Sequence, residues 1–285
     1  MENEKELYTN LIPHLNCKDF TVSKETFQVM KNEEYEMLVT CPVPENLEDY
    51  YKSEDYISHT DSKKSLIDKI YQLVKNYTLK QKLSLLNSFE TESKLVLDIG
   101  AGTGDFLKVC KNDNWEVLGV EPNLDARKIA SKKGIELTEN LSEITKQQFD
   151  VITLWHVLEH VPDLKRTIKT LKSLLKPKGR IIVAVPNYKS CDAKSYKEYW
   201  AAYDVPRHLW HFSQKSIHKL FSEVDMIVDE TLPMKFDAYY VSLLSEKYKA
   251  GKTNPLKAFY RGFLSNFNAM KSSEYSSFIY VIKNY

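Results

Sequence analysis

The sequence predicts an α/β fold: a Rossmann-like, mostly parallel sheet with helices on both faces. Three observations predict it. Short apolar runs alternate with segments of helical period from about residue 95 to residue 185. Such alternation places helices over a parallel sheet. A glycine-rich turn, Gly100-Ala101-Gly102-Thr103-Gly104, follows the first run, and an acid, Glu121, closes the second.

The elements follow in order. Residues 1–60 read as irregular, with Pro13, Pro42 and Pro44 among acidic and aromatic residues and no sustained period. From Ser62, the recurrence of Leu66, Ile70, Leu73, Val74 and Tyr77 predicts one or two helices over 62–89. Leu95-Val96-Leu97-Asp98-Ile99 is a short buried strand, and 105–112 is the helix after its glycine turn. Residues 116–120 are a second strand, and 123–133 a helix stopped at Gly134. Strands over 149–154 and 180–185 flank a helix over 163–176. Residues 188–212 are then aromatic-rich and too long for a tight turn. Ser213 is placed to cap a helix reaching about Glu223. A strand at 226–228, helices over 236–249 and 255–270, and a last strand over 277–282 complete the chain.

Composition narrows the class. The 285 residues are 42% hydrophobic and 28% charged, with 10 Pro and 8 Gly, which excludes global disorder and low-complexity architectures. Lys+Arg 40 against Asp+Glu 39 gives a net charge of +1, so no general pull toward nucleic acid is expected. Four scattered cysteines, Cys17, Cys41, Cys110 and Cys191, do not make a disulfide scaffold. The first residues lack the basic-then-apolar order of a secretion signal, and no apolar run approaches the ~20 residues of a membrane helix. The expectation is a cytoplasmic protein without a membrane span.

The glycine turn carries the strongest chemical signal. Glycines are needed where backbone turns sharply after a strand and comes close to a ligand. The helix that follows offers free N–H groups at its start. Nicotinamide and flavin enzymes use such turns too, but with Gly-x-Gly-x-x-Gly spacing. Here the spacing is Gly-x-Gly-x-Gly, and Asp98 sits two residues before it, placed to receive a cationic group or to anchor the loop. Glu121 can accept two hydrogen bonds from a ribose diol. The plain alternative is a tight turn and a helix-capping acid with no ligand.

Residues 95–104 resemble motif I of the class I S-adenosylmethionine-dependent methyltransferases. The resemblance covers about 92–230 and implies a seven-stranded sheet whose antiparallel last strand is inserted between two others. It also implies that S-adenosylmethionine, leaving as S-adenosylhomocysteine, lies against Asp98, Gly100, Ala101, Gly102, Thr103 and Gly104. Glu121 would hold the ribose, with Pro122 beside it and Trp155 and His156 at the end of the fourth strand. The segment Trp155-His156-Val157-Leu158-Glu159-His160-Val161-Pro162-Asp163 is similar to one in the ubiquinone-pathway O-methyltransferases and many small-molecule relatives. Asp204-Val205-Pro206-Arg207-His208-Leu209 resembles a further signature of one bacterial branch.

In a helical turn, His156, Glu159 and His160 share a face. Local hydrogen bonding that orders the loop is one reading; acid–base or substrate contact is another. A divalent metal is a third. In the ubiquinone-pathway relatives a Glu-x-x-Glu-His version is linked to one, but His156 replaces the first glutamate and no metal is expected. These three residues are the catalytic candidates, with His156 nearest the transferred methyl. Arg207, His208 and Tyr203 are the substrate candidates, because a guanidinium holds carboxylate or phosphate in a fork. A buried Asp204–Arg207 pair that only shapes the insert fits equally.

The expected organisation is an N-terminal cap over 1–61 and a methyltransferase domain over 62–285, with an aromatic lid insert at 188–212 and a helical insert at 235–270. In this branch a small zinc ribbon often precedes the core; the segment around Cys17 and Asn32-Glu33-Glu34-Tyr35 resembles a worn version. Cys17 and Cys41 alone cannot fill a four-ligand site, so no zinc is expected. Tyr50 through His59 is open to two readings, a cover over the cofactor or surface packing.

The reading is therefore methyl transfer to a small-molecule acceptor, with oxygen the expected atom. A nicotinamide oxidoreductase, a non-catalytic binding module and a nucleic-acid methyltransferase are the rivals. The strand-four exit, Leu154-Trp155-His156-Val157, lacks the Asn/Asp-Pro-Pro-aromatic motif of amino-methylating enzymes.

Overall fold

The computed structural model describes residues 2–51, 66–144 and 147–285. A 3-10 turn (Glu2–Tyr8) leads into three antiparallel strands, β1 (Ile12–Lys18), β2 (Thr26–Asn32) and β3 (Met37–Cys41). This corrects the expectation that the first sixty residues are irregular. β1 is an exposed edge on which only Cys17 is fully buried, so no alternation marks it, while β2 alternates only over its first four residues and β3 is a five-residue, mostly buried run. Side chains close the two hairpins. Asp19 accepts from the N–H groups of Thr21 and Ser23 at 2.9 and 2.7 Å, and Asn32 Oδ1 accepts from the Tyr35 N–H at 3.0 Å. Cys17 is buried among Phe27, Trp200 and Tyr203, and that burial pushes its thiol up.

The second body follows the predicted alternation. Its elements are α1 (Leu66–Asn87), β4 (Leu95–Ile99), α2 (Asp105–Asn112), β5 (Glu116–Val120), α3 (Leu124–Lys132), β6 (Phe149–Trp155), α4 (Leu164–Leu174) and β7 (Leu175–Pro186). Then come α5 (Cys191–Tyr196), β8 (Trp210–His211), α6 (Gln214–Ser222), β9 (Met226–Pro233), α7 (Asp237–Ala250), α8 (Pro255–Ser272) and β10 (Ser277–Asn284). Sheet order is β5-β4-β6-β7-β10-β9. Strands β4 to β7 are parallel, and β10 runs antiparallel between β7 and β9. The last strand is thus inserted as expected.

The expected count of seven strands is corrected: the described residues form six in this sheet. Past Gly134 the chain runs beside β5 but makes a single bridge, Val120 with Thr138. Two residues later Asn140 caps a 3-10 turn (Leu141–Glu143), which leaves no length for a strand. The predicted helix start at 62 and most of the Tyr50–His59 stretch lie outside the described residues.

The N-terminal strands pack into the same structure. β3 pairs with β8, the short strand of the aromatic insert, through Leu38–His211 and Val39–Trp210. Leu7, Met37 and Val39 share one buried cluster with Leu97, Ile152 and Val183 of the large sheet. The insert's Tyr196, Trp200 and Tyr203 bury against Cys17, Phe27 and Leu38. Burying these aromatics is a large apolar contribution, roughly 25 cal/mol per Å² removed from water. No helix among the described residues is long and apolar enough to cross a membrane.

Candidate functional site

Parallel strands β4, β5 and β6 end together, and the site is built where they end. All five residues of β4 are buried, so the loop after it starts from a fixed point. Gly100, Gly102 and Gly104 have φ of +69°, +54° and +74°, the left-handed region that glycine enters without strain. Their surroundings differ. A Cβ on Gly100 would sit 2.4 Å from Val157 Cγ2, and one on Gly104 3.0 Å from the Ala130 Cβ. A Cβ on Gly102 would meet nothing within 4 Å. Gly100 and Gly104 are held close to neighbouring side chains, and the side-chain position of Gly102 is open.

Glu121, just past the end of β5, is buried and faces that loop. Its Oε2 accepts the Gly102 N–H at 2.8 Å, and its Oε1 accepts the Asn123 N–H at 2.9 Å. Pro122 follows, exposed, and its carbonyl accepts from Arg127 Nη1 at 2.7 Å. Thr103 donates to Asp105 at 3.1 Å, and Asp105 also binds Lys75 and Lys133 at 2.7 and 2.6 Å. Ala101 is buried beneath the loop.

Asp98 is buried, and its Oδ1 accepts a 2.6 Å hydrogen bond from Thr153 Oγ1. Burial raises its carboxyl to about 7, against the opposing effect of Thr153 and the Lys82 ammonium. Lys82, from α1, is pulled down to about 8 by burial and lies 4.0 Å above the Trp155 ring. The Trp155 Nε1 is buried without a hydrogen-bond partner. Lys82 was not anticipated from sequence, because a lysine on a helix among polar neighbours reads as solvated.

His156 leaves β6 with φ +58°. Its Nδ1 is 3.4 Å from Glu159 Oε1 and its Nε2 3.1 Å from Asp237 Oδ2, the first residue of α7. Burial alone would lower its pKa, but the two nearby carboxylates, Asp237 and Glu159, outweigh it and raise it to about 10. The ring is therefore an imidazolium at neutral pH. Asp237 was also missed, since nothing in the spacing ties the helical insert to the end of β6.

Glu159 is 1% exposed, and neither of its oxygens has a conventional hydrogen-bond partner. Burial would raise its carboxyl, yet His156, His208 and His160 around it hold it low. His160 Nδ1 is 3.1 Å from the Arg207 carbonyl and 3.0 Å from the Tyr51 hydroxyl. Burial and the nearby His208 lower its pKa to about 4. The rings of His160 and His208 meet edge to face at 4.5 Å, and His208 Nδ1 lies 2.8 Å from the Ala202 carbonyl. Among the described residues, Glu159, His160 and His208 each present a ligand atom within 4.8 Å of the others, so these could hold a divalent cation.

The structure thus brings His156, Glu159, His160 and His208 together. Arg207 is beside them but turned inward. Its Nε and Nη2 donate to Asp204 at 3.0 and 2.6 Å, Nη2 also to Asp19 at 3.1 Å, and Nη1 to the Tyr50 carbonyl at 3.0 Å. Tyr203 is buried against Trp200 and His211, with ring centroids 5.0 and 5.3 Å away.

The model of a methyltransferase domain family matches residues 71–230. The ubiquinone biosynthesis O-methyltransferase of Aeromonas salmonicida is 33% identical over 104 residues, covering 33% of this chain and 44% of the relative. That of Serratia proteamaculans is 31% identical over 104 residues, covering 33% and 43%. The chain thus spans less than half the length of the curated relatives it matches. Among solved structures, magnesium protoporphyrin IX methyltransferase from Synechocystis, with bound S-adenosylhomocysteine, superposes with a TM-score of 0.52 at 14% identity, over 80% of this chain and 91% of that one. A SAM-dependent methyltransferase from Archaeoglobus fulgidus gives 0.50 at 17% identity, over 73% and 94%. These two likenesses establish the fold.

Proposed function

The chain belongs to the methyltransferase domain family, whose model covers more than half of it, and from that premise we propose that it transfers a methyl group from S-adenosylmethionine to a small-molecule acceptor, at oxygen. The observation that carries this reading is the pairing of Gly102 with Glu121 at the strand ends: a Cβ on Gly102 would meet nothing within 4 Å, and its N–H donates to the Glu121 carboxylate. The names of the relatives support oxygen as the acceptor atom. The four free thiols fit a cytoplasmic setting.

The residues fit the cofactor chemically. Two of the roughly four acceptor positions of the Glu121 carboxylate are used by backbone N–H groups, leaving about two for a ribose diol. Asp98, once ionised, suits a cationic group, and the backbone of 100–104 closes beside it. Pro122, Trp155 and His156 would wall the same pocket. Bound S-adenosylmethionine supplies an electrophilic sulfonium methyl group. The chain's task is then to align the acceptor and take its proton.

We assign that proton to His156 Nε2. While Asp237 occupies Nε2 the ring is charged and accepts nothing. Release of Asp237 lowers the ring's pKa, and the Nε2 proton passes to solvent. The neutral imidazole keeps its Nδ1 proton toward Glu159 and turns a free Nε2 lone pair to an acceptor hydroxyl, an arrangement that orients imidazole as a base. Glu159 then positions His156, and His160 supports Glu159. Arg207, His208 and Tyr203 are proposed to frame the insert, a role their burial and hydrogen bonds support.

Incubation with S-adenosylmethionine and a panel of phenols tests the activity, with S-adenosylhomocysteine quantified by chromatography. Phenol-dependent product supports the reading. Product with amine acceptors alone would move the acceptor atom to nitrogen.

A further inference from the structure

Helix α8 is packed the wrong way round for a core helix. A surface helix of a globular protein normally turns its large apolar residues inward. Over its 18 residues, α8 instead buries Ala258, Gly262, Ser265 and Ala269 against the body. Gly262 permits this close approach, since a Cβ there would lie 2.7 Å from Tyr239 Cδ1. The opposite face carries Leu256, Phe259, Tyr260, Phe263, Phe267 and Met270, which recur at helical spacing along the whole helix. All six are exposed, from 48% at Phe267 to 86% at Leu256. Phe263 and Phe267 stack on each other at 6.3 Å, in solvent. Tyr240, Phe236 and Tyr77 on α1 are also exposed, and the Tyr77 ring meets Phe236 at 5.7 Å. Phe236 adjoins Asp237 at the rim of the site. An exposed apolar stripe along an 18-residue helix marks an interaction surface.

Charge identifies the occupant. From Lys247 to Ser273 the chain carries six basic residues and no acidic one, in a protein of net charge +1. Lys257 is paired with Glu246 at 2.9 Å; Lys252 and Lys271 bracket the apolar stripe at its two ends, both exposed. A second copy of this face would bring like charges together. An anionic bilayer would instead take the aromatic and aliphatic stripe into the headgroup boundary and draw the lysines to its phosphates. We propose that α8 is a docking helix that lies flat on an anionic lipid surface, with the rim of the site facing the bilayer.

The test uses the full chain without cofactor or acceptor, so its outcome is independent of the methyl-transfer reading. Vesicles of phosphatidylcholine alone, and equimolar with phosphatidylglycerol, are mixed with protein and floated. The expected result is binding to the anionic vesicles, weakened by salt, and reduced at least about tenfold in Phe259→Ser/Phe263→Ser. Circular dichroism checks the fold of that variant; Leu256→Ser/Met270→Ser, at the most exposed positions, serves if it fails. Equal binding to both vesicle types, or unchanged binding by the folded variants, would overturn the proposal. So would a solution dimer, by sedimentation, that the same substitutions dissociate.

Discussion

His156 Nε2 lies 3.1 Å from Asp237 Oδ2, across the gap between the end of β6 and the start of α7. With Glu159 on the other ring nitrogen, the imidazole is clamped between two carboxylates from different parts of the chain. The clamp keeps the ring charged and ties the helical insert to the sheet.

Asp237→Asn should release part of that charge. A carboxylate within hydrogen-bond distance shifts a partner by about 1–3 pH units. The His156 pKa, near 10 in the wild type, should fall by about that much, as followed by proton NMR of the ring. An unchanged titration would mean the contact carries no charge coupling.

The same clamp sets a pH dependence of stability. The folded pKa of His156 lies above its ordinary 6.5, at about 10. Its stabilisation is therefore complete below about 6.5 and is lost as pH rises through about 10. The melting temperature should fall over that window more steeply in the wild type than in Asp237→Asn. Parallel curves would remove the clamp from the stability of the fold.

Asp98 predicts the opposite slope for cofactor binding. Its carboxyl is neutral below about 7 because burial disfavours the charge. A cationic ligand favours the ionised form, so affinity for S-adenosylmethionine should tighten as pH rises through about 7 and then level off. Asp98→Asn should bind weakly with a flat profile. A wild-type profile that falls over this range would place the cation elsewhere.

Two glycines separate strain from site. Gly102 and Gly134 both have positive φ, +54° and +77°, and a Cβ on either meets nothing within 4 Å. Alanine at each should cost about 1–2 kcal/mol of stability through left-handed backbone strain. Only Gly102→Ala should weaken S-adenosylmethionine, by at least about tenfold, because its methyl enters the open space beside Glu121. Equal affinities in the two variants would mean that space is not the cofactor's.

Much of this architecture was legible from residues 95–134. There the apolar runs are short, Gly100, Gly102, Gly104 and Gly134 mark positive φ, and Asn123 supplies its cap at 2.9 and 3.0 Å to the next helix. The N-terminal strands were not legible: the edge strand β1 buries too little to alternate, β2 alternates only over its first four residues, and β3 is a short, mostly buried run. The seventh strand was over-predicted by the family resemblance, where Thr138 makes only one bridge. His156 and Glu159 could be named from spacing. Asp237 and Lys82 could not, because tertiary packing brings them to the site from helices whose local pattern says nothing of it.

Calorimetric titration of S-adenosylmethionine into the wild type and Glu121→Ala tests the central claim most directly. Glu121 is the acid that holds the Gly102 N–H and faces the open space beside it. The predicted result is saturable binding at one site by the wild type, weakened by about 1.5–3 kcal/mol in the variant, the worth of hydrogen bonds to a charged group. No binding by the folded wild type at millimolar cofactor, with saturable heat from a nicotinamide nucleotide instead, would contradict it.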